Sequence, residues 1–283
     1  MARAAKSIAI VAPACRLPEE AAVKVDALAR GLYGDRVKLF FHPQCFLNSG
    51  HFAGEDAERS KAFLDVANDP AFDAVWFARG GYGACRLDDA LFGKLNRAAH
   101  LKDYLGYSDI GFLLARLARE GVGRAVHGPM PSDINREGGE AAVERSLSWL
   151  VDRDSASLEP SWRAGAPAYA FNLTVLSNLL GTVGEPNFAG AVLMIEDVDE
   201  HHYRIDRTMF HVTSSENVRR SAGIRLGRVS KIPPNDPPFE RTETEIVADW
   251  CARARIPFLG PADIGHDAAN KVAPFPAALA LTA

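Results

Sequence analysis

The chain has 283 residues, 47% of them apolar and 24% charged, enough to bury a substantial core in one large domain or two moderate ones without covalent staples. A formal net charge of -4 and the lack of any basic run give no electrostatic reason to expect nucleic acid or an anionic membrane as partner, which leaves small neutral or zwitterionic molecules. Cys15, Cys45, Cys85 and Cys251 are scattered with no Cys-x-x-Cys pair, so reduced, packed thiols are expected and a disulfide framework is not.

The start, Met1 to Ser7, carries positive charge, but the apolar run after it spans only Ile8 to Ala14 and leads into Pro18-Glu19-Glu20. That reads as a first strand and not a secretion signal, and no segment reaches the roughly 20 apolar residues of a membrane span, so the cytoplasm is the expected location. Ile8 to Val11 is wholly apolar, as a parallel strand covered on both faces would be. Glu19 to Leu32 follows with Ala, Val and Leu at helical spacing, then a strand from Val37 to Phe41, a helix from Ala57 to Ala67 and a strand from Ala74 to Ala78. Leu87 to Leu95 reads as helical. Tyr104 to Gly106 is a short strand, and Leu113, Leu114 and Leu117 resume helical spacing after it, with Arg124 to Val126 a fifth strand. Strand and helix alternate, which predicts an open parallel sheet with helices on both faces, of the Rossmann or flavodoxin kind. The rhythm breaks over 152–169. The expected division is therefore an N-terminal α/β domain at 1–151, a linker at 152–169 and a smaller C-terminal α+β domain at 170–283. In the latter, Leu173 to Leu180, Tyr203 to Val212 and Ile246 to Ala254 read as helices, and Gly190 to Ile195 and Ile224 to Val229 as strands.

Four places carry chemistry. In Gly106-Tyr107-Ser108-Asp109 the hydrophobic period changes from strand to helix at Ser108, where a hydroxyl stands clear of the sheet beside the unpaired N-H groups of a helix start. This is the setting of a nucleophile elbow, although Ile110 stands where the usual spelling has its second glycine; a plain helix cap is the other reading. Arg79-Gly80-Gly81-Tyr82-Gly83 lies where a strand must turn, and its glycines let backbone N-H groups approach an oxyanion, or simply make a tight turn. Glu196 closes an apolar strand and needs a partner, either a histidine it orients or the nearby Arg204 or Arg207. His266 sits in a loop of small and polar residues, where an exposed histidine is equally in keeping. Together Ser, Glu and His supply nucleophile, orienter and base. His201 and His202 are adjacent in sequence and do not readily face one ion, so no metal and no cofactor is expected.

These signals coincide in order and spacing with one pattern. Val11-Ala12-Pro13, Phe52-Ala53-Gly54 with Arg59, Asp69-Pro70, Arg79-Gly80-Gly81-Tyr82-Gly83, Gly106-Tyr107-Ser108-Asp109, His127-Gly128-Pro129, Gly181-Thr182, Ile195-Glu196-Asp197 with Tyr203, Asp206 and Arg207, and Gly265-His266 make the chain resemble the LD-carboxypeptidases. The family includes muramoyltetrapeptide carboxypeptidase and the microcin-immunity peptidases. The resemblance implies a Ser-Glu-His triad at Ser108, Glu196 and His266, with the nucleophile from the first domain and the other two from the second. It also implies an oxyanion hole from backbone N-H groups, assigned to Gly81 and Asp109, and hydrolysis of the bond to a C-terminal D-Ala in a cytoplasmic murein tetrapeptide. Arg79 or Arg207 is then expected to meet the substrate carboxylate, with Tyr82 and Phe171 beside it, and the family leads one to expect a homodimer. The alternatives are a related amidase acting on another peptide or a peptidyl-nucleotide, or a non-catalytic binding homologue.

Three departures from the family pattern stand out. Ala170-Phe171 replaces Gly-Gly ahead of Asn172-Leu173, Gly111 replaces Thr after Ser108-Asp109-Ile110, and Ala273-Pro274-Phe275-Pro276 replaces Leu-Pro-Leu-Gly. Phe171 is expected to narrow or reshape the substrate cleft.

Overall fold

The computed structural model describes residues 5–276, so Met1 to Ala4 of the charged start lie outside the described residues. Five parallel strands, β1 (Lys6–Val11), β2 (Val37–Phe41), β3 (Ala74–Phe77), β4 (Asp103–Gly106) and β5 (Arg124–His127), lie in the order β2-β1-β3-β4-β5. Ile8 to Val11 and all of β3 are buried, which is why these strands read as unbroken apolar runs. Helices α1 (Glu19–Tyr33) and α4 (Gly139–Asp152) cover one face with Val25, Ala29, Val143, Leu147 and Leu150. On the other face α2 (Asp56–Asn68) and α3 (Gly111–Glu120) bring Phe63, Val66, Leu113 and Leu117 against Val75 and Phe77. The strand order reverses between β1 and β3, and open α/β sheets hold ligands beyond the carboxyl ends of their strands at such a point.

Two local expectations change. The stretch Leu87 to Leu95 forms a 3-10 turn over Asp89–Lys94, because Asp88 caps it through the Ala90 N-H at 2.9 Å and Leu91 is the one residue of the turn that is buried. Conversely α4 has a clear apolar face at 142, 143, 147 and 150 that the breakdown of rhythm beyond Val151 obscured.

The second unit comprises β6 (Ala168–Asn172), α5 (Leu173–Leu179), β7 (Val192–Val198), α6 (His202–Ser214), α7 (Glu216–Arg219), β8 (Gly223–Ser230), α8 (Glu243–Ala254) and β9 (Phe258–Pro261). Its sheet, β6-β7-β8-β9, is smaller, as expected, and parallel throughout. The α+β expectation is thus refined to a βα repeat. The repeat was hard to read because β6 begins inside the stretch taken as linker and β9 is a four-residue strand ending in Gly260-Pro261. The chain then returns to the first unit, where β10 (Ala273–Pro274) pairs antiparallel with β5. One core cluster runs without a break from Phe77, Ile110 and Leu113 to Phe171, Leu173 and Ile195. Among the described residues no helix is long and apolar enough to cross a membrane.

Candidate active site

Strand β4 ends at Gly106, and Ser108 opens a 3-10 turn, Ser108–Ile110, that feeds α3. Ser108 has a φ of 60°, a left-handed conformation that costs a non-glycine residue roughly 1–3 kcal/mol and persists only when the surroundings hold it. They do so here. A Cβ on Gly106 would lie 2.9 Å from Ile110 Cγ2 and 3.2 Å from Phe77, and a Cβ on Gly80 would lie 3.0 Å from Ser108 Cβ, so both positions admit only glycine without a shift. The turn that follows β3 is therefore pressed against the serine, and Gly81 within it has a φ of 100° with Cys15 Sγ only 2.5 Å from where its Cβ would be.

Glu196 is fully buried near the end of β7. The register of β7 on β8 slips between Ile195 and Asp197, and Gly227 opposite leaves no room for a side chain, its Cβ falling 3.1 Å from that of Glu196. Such slips re-aim side chains next to functional sites. Glu196 Oε2 lies 2.6 Å from His266 Nδ1, and His266 Nε2 lies 2.9 Å from Ser108 Oγ. An ionised carboxylate only accepts, so Nδ1 carries the ring proton and Nε2 is left to accept from the serine hydroxyl. That tautomer is the one a base needs. The glutamate's other oxygen, Oε1, is buried with no hydrogen-bond partner.

His266 is not the exposed loop histidine that its neighbours in sequence suggest: its side chain is 8% exposed. The loop around it is gripped from both units. Arg145 Nη1 donates to the carbonyls of Ala268 and Asn270 at 3.0 and 2.8 Å, Arg228 pairs with Asp263 and Asp267, and Asn270 Oδ1 lies 3.0 Å from His127 Nε2. Burial lowers the pKa of His127, which favours its neutral form.

A cavity of about 750 Å³ opens beside Ser108. Gly81, Tyr82, Asp109 and Phe112 line it from the first unit, and Asn172, Thr174, Asp197 and Glu200 from the second. Asp109 accepts from the Ala84 N-H at 2.8 Å, and burial pushes its carboxyl up to about 6. Asp197 accepts from Asn172 Nδ2 at 2.7 Å and from Thr174 Oγ1 at 3.1 Å, and burial, with Glu196 beside it, likewise raises it to about 6. Among the described residues no group of three His, Cys, Asp or Glu is arranged to hold a metal ion.

The predicted substrate residues fare unevenly. Tyr82 lines the cavity. Arg79 is exposed, its Nη1 3.4 Å from the Arg16 carbonyl, and Arg207 lies over the Tyr203 ring, so neither reaches the lining. Nor does either arginine near Glu196 pair with it, since Arg204 pairs with Glu200. The cation in the lining is Arg116, which sequence reasoning missed. Its signal was the i, i+4 spacing of Phe112 and Arg116 on α3, both of which face the cavity.

Phe171 does not narrow the cleft. Every residue of β6 is buried, and the Phe171 ring packs between Phe275 and Phe188, with centroids 5.2 and 6.2 Å away. A Cβ on Gly111 would lie 3.3 Å from Phe171 Cδ1. The three departures from the family pattern therefore meet at one spot: the ring added at 171 uses the space left by the missing side chain at 111 and meets the ring added at 275 edge to face, with planes 64° apart.

The comparisons with known proteins agree with this architecture. The model of the LD-carboxypeptidase N-terminal domain matches residues 8–128, and that of the C-terminal domain matches residues 167–281. A putative carboxypeptidase of Synechocystis sp. is 34% identical over 232 residues, 80% of this chain and 75% of the relative. The murein tetrapeptide carboxypeptidase of Pseudomonas aeruginosa is 28% identical over 285 residues, 95% of this chain and 90% of the relative. In fold, the chain resembles muramoyltetrapeptide carboxypeptidase from Oxalobacter formigenes with a TM-score of 0.76 at 24% identity, over 94% of this chain and 92% of that one. It also resembles the microcin C7 self immunity protein MccF with a TM-score of 0.73 at 17% identity, over 97% and 92%. Both halves of the family pattern are present, in order and across most of the sequence, and the chain belongs to the LD-carboxypeptidase family.

Proposed function

We propose that this protein is a serine-type LD-carboxypeptidase that hydrolyses the amide bond to a C-terminal D-amino acid, D-Ala, in cytoplasmic murein tetrapeptides. The observation that carries the reading is the unbroken chain of contacts from Ser108 Oγ to His266 Nε2 at 2.9 Å and from His266 Nδ1 to Glu196 Oε2 at 2.6 Å, beside a cavity of about 750 Å³. His266 takes the hydroxyl proton as Ser108 attacks the scissile carbonyl, and Glu196 stabilises the imidazolium that forms. The N-H groups of Gly81 and Asp109 receive the oxyanion, each such donor contributing about 2.7 to 4 kcal/mol of barrier lowering. The imidazolium then protonates the departing amine, and water releases the acyl group by the same base. Arg116 lines the same cavity from α3, one helical turn beyond Phe112, and supplies a cation there for a substrate carboxylate.

Incubation of the purified chain with UDP-linked muramoyl tetrapeptide should release free D-Ala. A folded preparation that leaves the tetrapeptide intact overturns the substrate assignment. In the second reading the site is an amidase for aminoacyl or peptidyl nucleotides, a class suggested by the MccF complexes with aspartyl sulfamoyl adenosine and glutamyl sulfamoyl guanosine. The cavity volume is ample for a nucleoside. Cleavage of such a conjugate with the tetrapeptide untouched would favour this reading over the first.

A further inference from the structure

Behind His266 lies a group of side chains to which the steps above give no part. Asp133, in the 3-10 turn Pro131–Asn135, is 3% exposed, and its Oδ1 accepts from two donors, the Tyr107 hydroxyl at 2.9 Å and Arg136 Nε at 2.9 Å. Its Oδ2 accepts from the Met130 N-H at 2.7 Å. Both side chains held on Oδ1 touch His266. The Tyr107 ring packs against the imidazole, with centroids 4.9 Å apart and planes tilted by 53°. Arg136 Nη1 donates to the main-chain carbonyl of His266.

We propose that Arg136, seated on Asp133, is a positioning residue that pins the main chain at His266 so that the imidazole meets Ser108 and Glu196 together. The inference rests on the triad reading above. The bond from Nδ1 to Glu196 fixes one point of the ring, and Arg145 and Arg228 hold the loop at 263 and 267–270, but His266 lies outside any helix or strand and none of those bonds reaches its own main chain, which is left to slide and tilt between them. The charge-assisted bond from Arg136 removes the sliding, and the Tyr107 ring restricts the tilt. The guanidinium suits this task because it is a rigid fork: with Nε committed to a buried carboxylate, the position of Nη1 is set as well. A lysine has one nitrogen and cannot hold Asp133 and the carbonyl in the same fixed geometry. Misplacing a catalytic group by about 1 Å costs on the order of 10²-fold in rate.

The test uses the full chain with Arg136→Gln, and Arg136→Lys as the conservative variant. Two readings are taken, steady-state kinetics on the tetrapeptide and the downfield proton line of the short Nδ1-H bond to Glu196, assigned by its loss in His266→Ala. Arg136→Gln is expected to lower kcat on the order of 10²-fold with KM unchanged, and to weaken that line or lose it to exchange with water. Arg136→Lys is expected to recover part of both. A variant with wild-type kcat and an unaltered line overturns the proposal. So does one whose turnover falls while the line stays as in the wild type, because the arginine then acts elsewhere. Should Arg136→Gln fail to fold, Arg136→Lys decides by the same two readings. If the wild type cleaves no tetrapeptide, the substrate reading fails, whereas the proton line still reports on Arg136.

Discussion

The two sides of the site are built in different ways. The Ser108 corner is made by its own neighbourhood in the chain: a buried strand, a glycine on which Ile110 and Phe77 close, and a helix that starts three residues later. The His266 loop has no such local frame. Its place is set by Arg145 from the first unit, by Arg228 from the second, and by the bond to Glu196, which stands where the register of β7 on β8 slips. A nucleophile needs a strained, prebuilt corner, because its oxygen must stand at one spot before substrate arrives. A base can be brought to that spot from elsewhere, provided that enough bonds hold the loop that carries it.

Substitutions separate these two constructions by size of effect. On the proposed mechanism Ser108→Ala removes the nucleophile and should lower kcat on the order of 10⁶-fold, read by D-Ala release in a preparation free of host enzyme; unchanged turnover would falsify the assignment of the nucleophile. Glu196→Gln should cost less, on the order of 10⁴-fold, since an amide can donate to Nδ1 and so favour the tautomer in which Nε2 no longer accepts. Loss as large as that of Ser108→Ala would mean that the glutamate does more than orient the ring. Gly81→Ala places a methyl 2.5 Å from Cys15 Sγ at a φ of 100°, which must shift the turn and its N-H. A fall on the order of 10² to 10³ in kcat is expected, and full activity would remove Gly81 from the oxyanion hole.

The smallest effect concerns Asp197, which shares β7 with Glu196 yet binds Asn172 and Thr174 instead of a histidine. Its folded value of about 6 lies above the roughly 3.9 of an unfolded aspartate. Between those values the folded chain keeps a proton that the unfolded chain has released, so this group subtracts stability as pH rises from about 4 through about 6. In Asp197→Asn that slope is gone. The variant's stability relative to wild type, from urea unfolding, should therefore be about 2 kcal/mol more favourable at about pH 7 than at about pH 4.5. A difference independent of pH would show that burial does not raise Asp197.

Much of this was legible beforehand, and the failures have physical causes. The parallel strands of the first sheet were readable because β1 and β3 are compact apolar runs and helical periods follow β1, β2 and β4, and Ser108 stood at a change of period. The βα repeat of the second unit was not, because a short strand such as Phe258–Pro261 carries too few apolar residues to register. Arg79 and Arg207 looked like substrate arginines by motif, but the direction of a side chain outside a regular apolar pattern is set by what packs around it. Arg116, on α3, shares a helix face with Phe112, and its facing was predictable in principle from the phase set by Leu113, Leu114 and Leu117.

The amino-acid sequence determined the alternation of strands and helices in the first sheet and the corner at Ser108, because these depend on local period and backbone sterics, whereas Glu196 and His266 were singled out by the resemblance to the family. Only the tertiary structure decided that Glu196 faces His266 while Asp197 faces the cavity, that the histidine loop is tied down by arginines distant in sequence, and that the changes at 111, 171 and 275 fill one another's space. The reason is common to all three. Each depends on contacts between residues from 35 to 125 positions apart, and such contacts exist only once the two sheets have packed into one core.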